Sequence, residues 1–138
     1  MIVLDTNVVS ELMRPSPAPA VVAWLRRQAR GSLTTTAVTI AEITFGLARL
    51  PAGRRTAQLQ MAAADVLASF PGQVLPFDGA AAARYGEIAA TRERAGHPID
   101  ALDAQIAAIC QIRRAPLATR NTKDFVSTGI DVLDPWEA

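Results

Sequence analysis

The sequence is poor in the residues from which many functional sites are built. Its 138 residues include one cysteine, Cys110, and one histidine, His97. A single cysteine excludes an intramolecular disulfide framework and a cysteine-cluster zinc site. A single histidine excludes acid–base chemistry that needs two histidines. No glycine triad follows the first apolar run, so a Rossmann-type dinucleotide site is not expected.

Long apolar runs are also missing. No run approaches the roughly 18 residues that a bilayer-spanning helix needs, and the apolar start of the chain is interrupted at once by Asp5. Half of the residues are hydrophobic and a fifth are charged, which is typical of a folded globular chain. We therefore expect one domain over residues 1–138, located in the cytoplasm and without membrane contact.

Short runs typical of β-strands alternate with helical patterns. The runs lie at 2–4, 32–36, 74–77, 116–119 and 131–133. Apolar spacing predicts a helical hairpin over about 40–50 and 59–70, with a break at 51–53, and a helix over 79–94 with Asp78 as a possible cap. Strands that alternate with helices predict an α/β fold whose mostly parallel sheet is covered on both faces.

A further helix is predicted to begin at Pro98, a residue favoured in the first helical position. Its inward face should carry five apolar residues: Ile99, Leu102, Ile106, Ile109 and Ile112. Cys110 should belong to the core on that side. His97 and Asp100 are most simply explained by the start of the helix, as a capping residue and as an acid that interacts with the helix dipole.

Four carboxylates stand out by position. Asp5 ends the first strand, and Asp103 shares a helix face with buried apolar residues, where an unpaired charge needs a partner such as a cation or an arginine. Glu42 lies between two isoleucines near the start of the helix that follows the second strand. Asp124 follows the run at 116–119. Parallel sheets place their sites at the carboxyl ends of the strands, so we expect these acids to lie close together.

Several acids without histidine or thiol ligands favour a hard divalent cation, Mg²⁺ or Mn²⁺. The chemistry that suits such a site is phosphodiester hydrolysis, in which the metal lowers the pKa of the attacking water and stabilises the leaving oxygen. Each of these signals is weak when taken alone. Their order along the chain is more specific.

The chain resembles the PIN domains, and among them the VapC-like toxins of bacterial toxin–antitoxin pairs, close to the FitB-like branch. The matching motifs span nearly the whole chain: IVLDTNVVS at 2–10, TIAEI at 39–43 with Gly46, DAQIAA at 103–108, ATRN at 118–121 with Asp124 and Phe125, and VLDPW at 132–136. The resemblance implies a three-layer α/β/α sandwich with a central, mostly parallel sheet.

The resemblance also implies an activity and partners. Asp5, Glu42, Asp103 and Asp124 would bind Mg²⁺ or Mn²⁺ and cleave RNA. A small antitoxin would wrap the helical hairpin, insert a basic residue into the acidic pocket and connect the complex to operator DNA. A homodimer is expected as well. Asn121 departs from relatives that carry aspartate there, and an amide oxygen is a weaker ligand than a carboxylate.

Two other functions remain open from the residues alone. A receiver or phosphatase that uses an aspartate nucleophile could employ Asp78, although the paired acids that such proteins carry after the first strand are missing, since Thr6 and Asn7 follow Asp5. A catalytically silent PIN-like binding module would keep the fold without the chemistry. The presence of all four acids speaks against that second alternative.

Overall fold

A computed structural model describes residues 1–70, 72 and 74–138. Short strands and longer helices alternate along this part of the chain. The strands are β1 (Ile2–Leu4), β2 (Leu33–Thr34), β3 (Leu117–Ala118) and β4 (Val132–Leu133). The helices are α1 (Thr6–Leu12), α2 (Pro19–Arg26), α3 (Ala37–Ala48), α4 (Arg54–Ala68), α5 (Gly79–Arg94) and α6 (Ala101–Arg113), with a 3₁₀ helix at Thr122–Phe125.

The four strands form one parallel sheet in the order β2-β1-β3-β4. Val3 pairs with Thr34 on one side and with Leu117 on the other, and Leu4 pairs with Ala118. The predicted α/β fold with a mostly parallel sheet is confirmed. All four carboxyl ends therefore meet at one edge, where the first residues after β1 and β3 become neighbours.

Helices cover both faces of the sheet, and the alternation of side chains along β1 divides the core in two. Val3 packs with Leu117 and the buried residues of α5 and α6, while Leu4 packs with Ala118 and the buried residues of the other four helices. The predicted three-layer α/β/α arrangement is confirmed. In the described part of the chain, no helix combines the length and the apolar character that crossing a membrane requires.

Three predictions about individual elements are wrong. The run at 74–77 is not a strand among its described residues: Leu75 alone pairs, through an isolated parallel bridge to Thr36, and Pro76 has no N–H to extend the ladder. The last helix begins at Ala101 and not at Pro98, because Asp100 caps it. Leu102 is 39% exposed and does not face inward.

Other details of the helices are confirmed. Ile106, Ile109 and Cys110 are buried, and Ile99 and Ile112 are partly buried against the same cluster. The helical hairpin is formed by α3 and α4, whose ends lie two residues before Leu50 and Phe70. Helix α2 was not predicted. It begins with Pro19 at its first position and buries Val21 and Trp24.

Candidate functional site

Asp5 lies at the carboxyl end of β1 and is buried. Its Oδ1 accepts a hydrogen bond from the Thr6 amide at 2.8 Å, and its Oδ2 accepts one from the Thr119 hydroxyl at 2.7 Å. Burial raises the pKa of Asp5, the hydrogen bonds from Thr119 and Thr6 oppose that rise, and the charge of Asp124 adds to it. The carboxylate caps α1 and keeps a fixed orientation.

Thr119 connects β3 to this carboxylate, and sequence analysis assigned it no role. Its fully buried hydroxyl donates to Asp5 and accepts from the Asn7 side-chain amide at 3.0 Å and from the Asn121 backbone amide at 3.1 Å. Asn7 Oδ1 in turn accepts from the Arg120 amide at 3.1 Å. The pairing of Leu4 with Ala118 brings residues 5 and 119 together, and only the strand register could have indicated this contact.

Glu42 and Asp103 enter the same region from two helices. Glu42 lies on α3, and its Oε1 accepts a hydrogen bond from the Thr6 hydroxyl at 2.9 Å. Burial raises its pKa, the Thr6 hydrogen bond opposes that rise, and the charges of Asp5 and Asp100 add to it. Asp103 lies in the first turn of α6, where no described side chain or amide donates to its carboxylate.

The Asp103 carboxyl has a strongly raised pKa. Burial, as the largest cause, and the charges of Asp5, Asp100, Glu42 and Asp124 together raise its pKa to about 7. Asp124 lies in the 3₁₀ helix that follows β3. The four predicted acids therefore act on one another electrostatically, and we call them the acid cluster: Asp5, Glu42, Asp103 and Asp124.

No described basic side chain forms an ion pair with the acid cluster. The ion pairs among the described residues are Arg14–Glu11 and Arg84–Glu87, and neither includes a cluster member. No three acidic, histidine or cysteine side chains of the described part lie close enough to ligate one ion together. Mg²⁺ uses only one or two direct carboxylates and keeps several waters, so this oxygen-rich set fits that ion better than one that needs a complete protein cage.

The neighbouring polar residues have structural roles. Asp100 caps α6 by accepting from the amides of Leu102 at 3.0 Å and Asp103 at 3.4 Å, and it is exposed. The prediction that His97 caps this helix is wrong: its backbone carbonyl accepts a hydrogen bond from Arg92. Asn121 is exposed, and its side chain makes no capping hydrogen bond to the 3₁₀ helix.

Two further predictions concern single residues. Cys110 is fully buried in the core, and burial raises the pKa of its thiol to about 12. Asp78 caps α5 by accepting from the Ala81 amide at 3.0 Å, and its charge is not among the influences on the pKa values of Asp5, Glu42 or Asp103. Its place in the structure is that of a capping residue, which leaves the receiver hypothesis without support from this position.

Comparison with known proteins agrees with this geometry. The family model of the PIN domain matches residues 2–130. The chain is 43% identical to VapC ribonuclease Y4jK of Sinorhizobium fredii and 38% identical to toxin FitB of Neisseria gonorrhoeae, and each match covers 99% of both chains. The crystal structure of FitAcB from Neisseria gonorrhoeae superposes with a TM-score of 0.90 at 37% identity over 100% of both chains. The resemblance inferred from the sequence is confirmed, and the chain belongs to the PIN-domain family.

Proposed function

We propose that this protein is a metal-dependent endoribonuclease that acts as the toxin of a toxin–antitoxin pair. The observation that carries the proposal is the acid cluster at the carboxyl edge of the sheet, whose charge no described cation neutralises. Relatives named as a VapC ribonuclease, at 43% identity, and as a tRNA(fMet)-specific endonuclease of Shigella flexneri, at 28% identity over 96% of both chains, support a nuclease.

The cofactor in this proposal is Mg²⁺ or Mn²⁺, which Asp5, Asp103, Glu42 and Asp124 would hold, one or two of them directly and the others through water bound to the ion. When bound, such an ion lowers the pKa of an attacking water and stabilises charge on the leaving oxygen of the phosphodiester. The donor set supports this choice, because burial and neighbouring carboxylates raise the pKa values of Asp5, Glu42 and Asp103, and these three acids would ionise more readily beside a cation.

The protein's own residues would supply orientation. Thr119 and the Thr6 amide fix both oxygens of Asp5, and the Thr6 hydroxyl fixes one oxygen of Glu42. Asp103 keeps both oxygens free of hydrogen bonds from the described residues, so they remain available for a metal or for a metal-bound water. The arrangement combines two acids held by hydrogen bonds, Asp5 at the end of β1 and Glu42 on α3, with one acid, Asp103, whose oxygens are free to accept.

The proposed protein partner is a small antitoxin that wraps the hairpin of α3 and α4. The hairpin leaves apolar residues exposed, with Phe45 62% and Met61 69% accessible. A groove of about 210 Å³ runs beside it and is lined by Glu42, Gly46 and Leu47 among others, which would lead a basic side chain of the partner to the acid cluster. The FitAB complex has been solved with a DNA fragment bound, and we propose that operator DNA is reached only through the antitoxin.

The test is cleavage of total RNA by the purified protein with Mg²⁺, with Mn²⁺ and with EDTA, followed by mapping of the cut ends. We expect cleavage with either metal and none with EDTA. Asp103→Asn and Asp5→Asn should abolish cleavage in folded protein, while the matched control Asp131→Asn, an exposed aspartate before β4, should keep it. Wild-type rates in either cluster variant would overturn the assignment. Absence of cleavage with any metal would favour the silent binding module.

A further inference from the structure

Arg92 is a buried cation that the acid cluster does not use. Its side chain is 7% exposed and lies on α5. Its Nε donates to the His97 carbonyl at 2.7 Å, and its Nη1 donates to the carbonyls of Asp124 at 2.7 Å and Val126 at 2.8 Å. No described carboxylate forms an ion pair with it. The fold thus holds a positive charge in place with backbone oxygens alone.

The donors of this guanidinium can be counted. An arginine carries five N–H donors, and the hydrogen bonds to the three carbonyls use the one on Nε and both on Nη1. The two donors on Nη2 have no partner among the described residues. Every inaccessible side-chain nitrogen and oxygen of that part of the chain has a partner, so Nη2 keeps accessible surface. A buried cation with two free donors favours an anionic oxygen ligand.

A cavity of about 510 Å³ is lined by Arg92 and by the three residues whose carbonyls it binds, and we call it the Arg92 cavity. Its other lining residues include Lys123 and Ser127. Lys123 is exposed and adds a second positive charge. Pockets of roughly 300–1,000 Å³ hold small ligands, so a nucleotide unit fits the volume.

The backbone at the edge of the Arg92 cavity has an uncommon conformation. Ser127 has φ of 62°, in the left-handed region that residues other than glycine seldom adopt. Arg92 holds the Val126 carbonyl before it, and the Thr128 hydroxyl after it donates to Phe125. Such conformations concentrate at ligand sites, where the surrounding contacts impose them.

Asp124 connects the Arg92 cavity to the acid cluster. Its carbonyl accepts from Arg92, while its carboxylate raises the pKa values of Asp5 and Asp103. Asp124 thus belongs both to the acid cluster and to the lining of the Arg92 cavity, so a polymer bound at the cluster has the cavity beside it. A small free anion, unlike a polymer, has nothing that connects the acid cluster to the Arg92 cavity.

We propose that the Arg92 cavity is a subsite for the RNA backbone phosphate next to the bond that is cleaved. Arg92 Nη2 would donate to the phosphate oxygens, and Lys123 would contribute its charge. The proposal rests on the proposed ribonuclease function. To that function the proposal adds a cationic site, outside the acid cluster, that holds the RNA strand in position for cleavage.

The first test measures binding of a labelled ten-nucleotide single-stranded RNA in EDTA, where cleavage cannot occur. Lys123→Gln is compared with Arg30→Gln, which removes one exposed charge before β2, at the opposite edge of the sheet. We expect Lys123→Gln to weaken binding about fivefold and to lower the slope of log affinity against log salt by about 0.7, the value for one lost phosphate contact to a single strand. Arg30→Gln should leave the slope unchanged.

The second test fills the Arg92 cavity without removing a charge. Removing Arg92 itself could unfold the protein, because it ties three carbonyls together. Ser127→Cys treated with N-ethylmaleimide should instead block RNA binding, while Ser16→Cys, an exposed position between α1 and α2, should tolerate the same adduct. Cys110 is buried and should not react.

The proposal requires both effects. Any one of four results would overturn it. They are an unchanged salt slope in Lys123→Gln, unchanged RNA binding after alkylation at position 127, equal losses of RNA binding in the control variants, and no RNA binding by the wild type. The proposed function fails separately, if the wild type binds RNA in this way and yet cleaves none with Mg²⁺ or Mn²⁺.

Discussion

At the scale of single residues, the oxygens of the acid cluster differ in how firmly the fold holds them. Asp5 accepts hydrogen bonds on both oxygens, Glu42 accepts one, and Asp103 accepts none from the described residues. This gradient follows from location, since Asp5 lies at a strand end amid other strand ends and Asp103 faces them from a helix. Asp5, whose oxygens are fixed by hydrogen bonds, and Asp103, whose oxygens accept none from the described residues, are suited to different tasks at one site.

Thr119→Val should separate orientation from charge. Valine keeps the shape of threonine but removes the hydroxyl that donates to Asp5 at 2.7 Å, and it leaves the amides of Asn7 and Asn121 without that acceptor. We expect cleavage to fall roughly tenfold, which corresponds to the loss of one hydrogen bond to a charged group. The assay is RNA cleavage across a Mg²⁺ titration.

The matched control is Thr35→Val, which removes a buried hydroxyl that donates to the Leu4 carbonyl and not to an acid. Its circular dichroism and cleavage rate should stay close to those of the wild type. Equal losses of activity in the two variants would show that Thr119 contributes to stability alone.

Asn121→Asp should tighten metal binding. Asn121 is the third residue after β3, its backbone amide donates to the Thr119 hydroxyl, and its side chain makes no capping hydrogen bond to the 3₁₀ helix. An added carboxylate supplies a stronger ligand beside Asp124, so half-maximal cleavage should need less Mg²⁺. Asp124→Asn should reduce cleavage substantially, because it removes the carboxylate that this segment contributes.

The readout for both substitutions is a metal titration of cleavage. A half-maximal Mg²⁺ concentration that does not change in Asn121→Asp would mean that residue 121 does not face the metal. Cleavage at the wild-type rate in Asp124→Asn would remove Asp124 from the cluster.

At the scale of elements, the beginning of α6 carries both a stabilising and a destabilising acid. Asp100 accepts from two amides of the first turn, whereas the Asp103 carboxylate receives no such bond and faces other acids. The sequence pattern predicts that Asp103 interrupts a buried face. The same pattern places the start of α6 at Pro98, because a proline is favoured in the first helical turn. The capping hydrogen bonds of Asp100, which decide the boundary, depend on backbone geometry.

The stability of the metal-free protein should fall as pH rises. The folded-state pKa of Asp103 is raised from 3.8 to about 7, so the folded protein binds more protons than the unfolded chain between those values. Stability is therefore lost across that window, by less than the limit of about 1.4 kcal/mol per pH unit for one group, because solvent partly screens the half-buried Asp103. Burial also raises the pKa values of Asp5 and Glu42, which act in the same direction.

Urea unfolding in EDTA at several pH values checks this expectation. Asp103→Asn should be more stable than the wild type at neutral pH, and the difference should shrink towards pH 4. The exposed Asp131→Asn should follow the wild type. Adding Mg²⁺ to the wild type at neutral pH should raise its melting temperature, because ligand binding stabilises the folded state. A wild type whose stability rises with pH between 4 and 7 in EDTA would contradict the expected direction of the pH dependence.

Elements that depend on distant contacts were the hardest to predict. Helix α2 is short and was not predicted, although its proline start and its buried Val21 and Trp24 stabilise it against the sheet. The run around Leu75 was predicted as a strand from its apolar residues. A strand needs a neighbour along its length, and in the described residues only Leu75 has one. Local composition could not reveal either outcome.

At the scale of the whole molecule, the layers explain why acids that are far apart in sequence can meet. The parallel order β2-β1-β3-β4 brings the residues that follow β1 and β3 to one edge, and α3 and α6 pack beside it. The same edge carries the Arg92 cavity, which shares Asp124 with the cluster. The acids could be predicted from their order along the chain. Arg92 could not, because two of its three carbonyl partners, Asp124 and Val126, lie 32 and 34 residues away in sequence and only the folded chain brings them to it.

The protein should form a homodimer. Phe45, Leu50 and Met61 of the hairpin leave apolar surface exposed, and such patches are typical of interaction sites. Static light scattering should give about twice the 14.7 kDa chain mass at micromolar concentrations.

Met61→Glu is compared with Gln60→Glu, which adds the same charge at an exposed polar position of the same helix. A dimer in both variants would leave the hairpin free for an antitoxin, and loss of the dimer in Met61→Glu alone would place the dimer face there. A wild-type monomer throughout would contradict the dimer and would leave the nuclease proposal intact, because all four acids come from one chain.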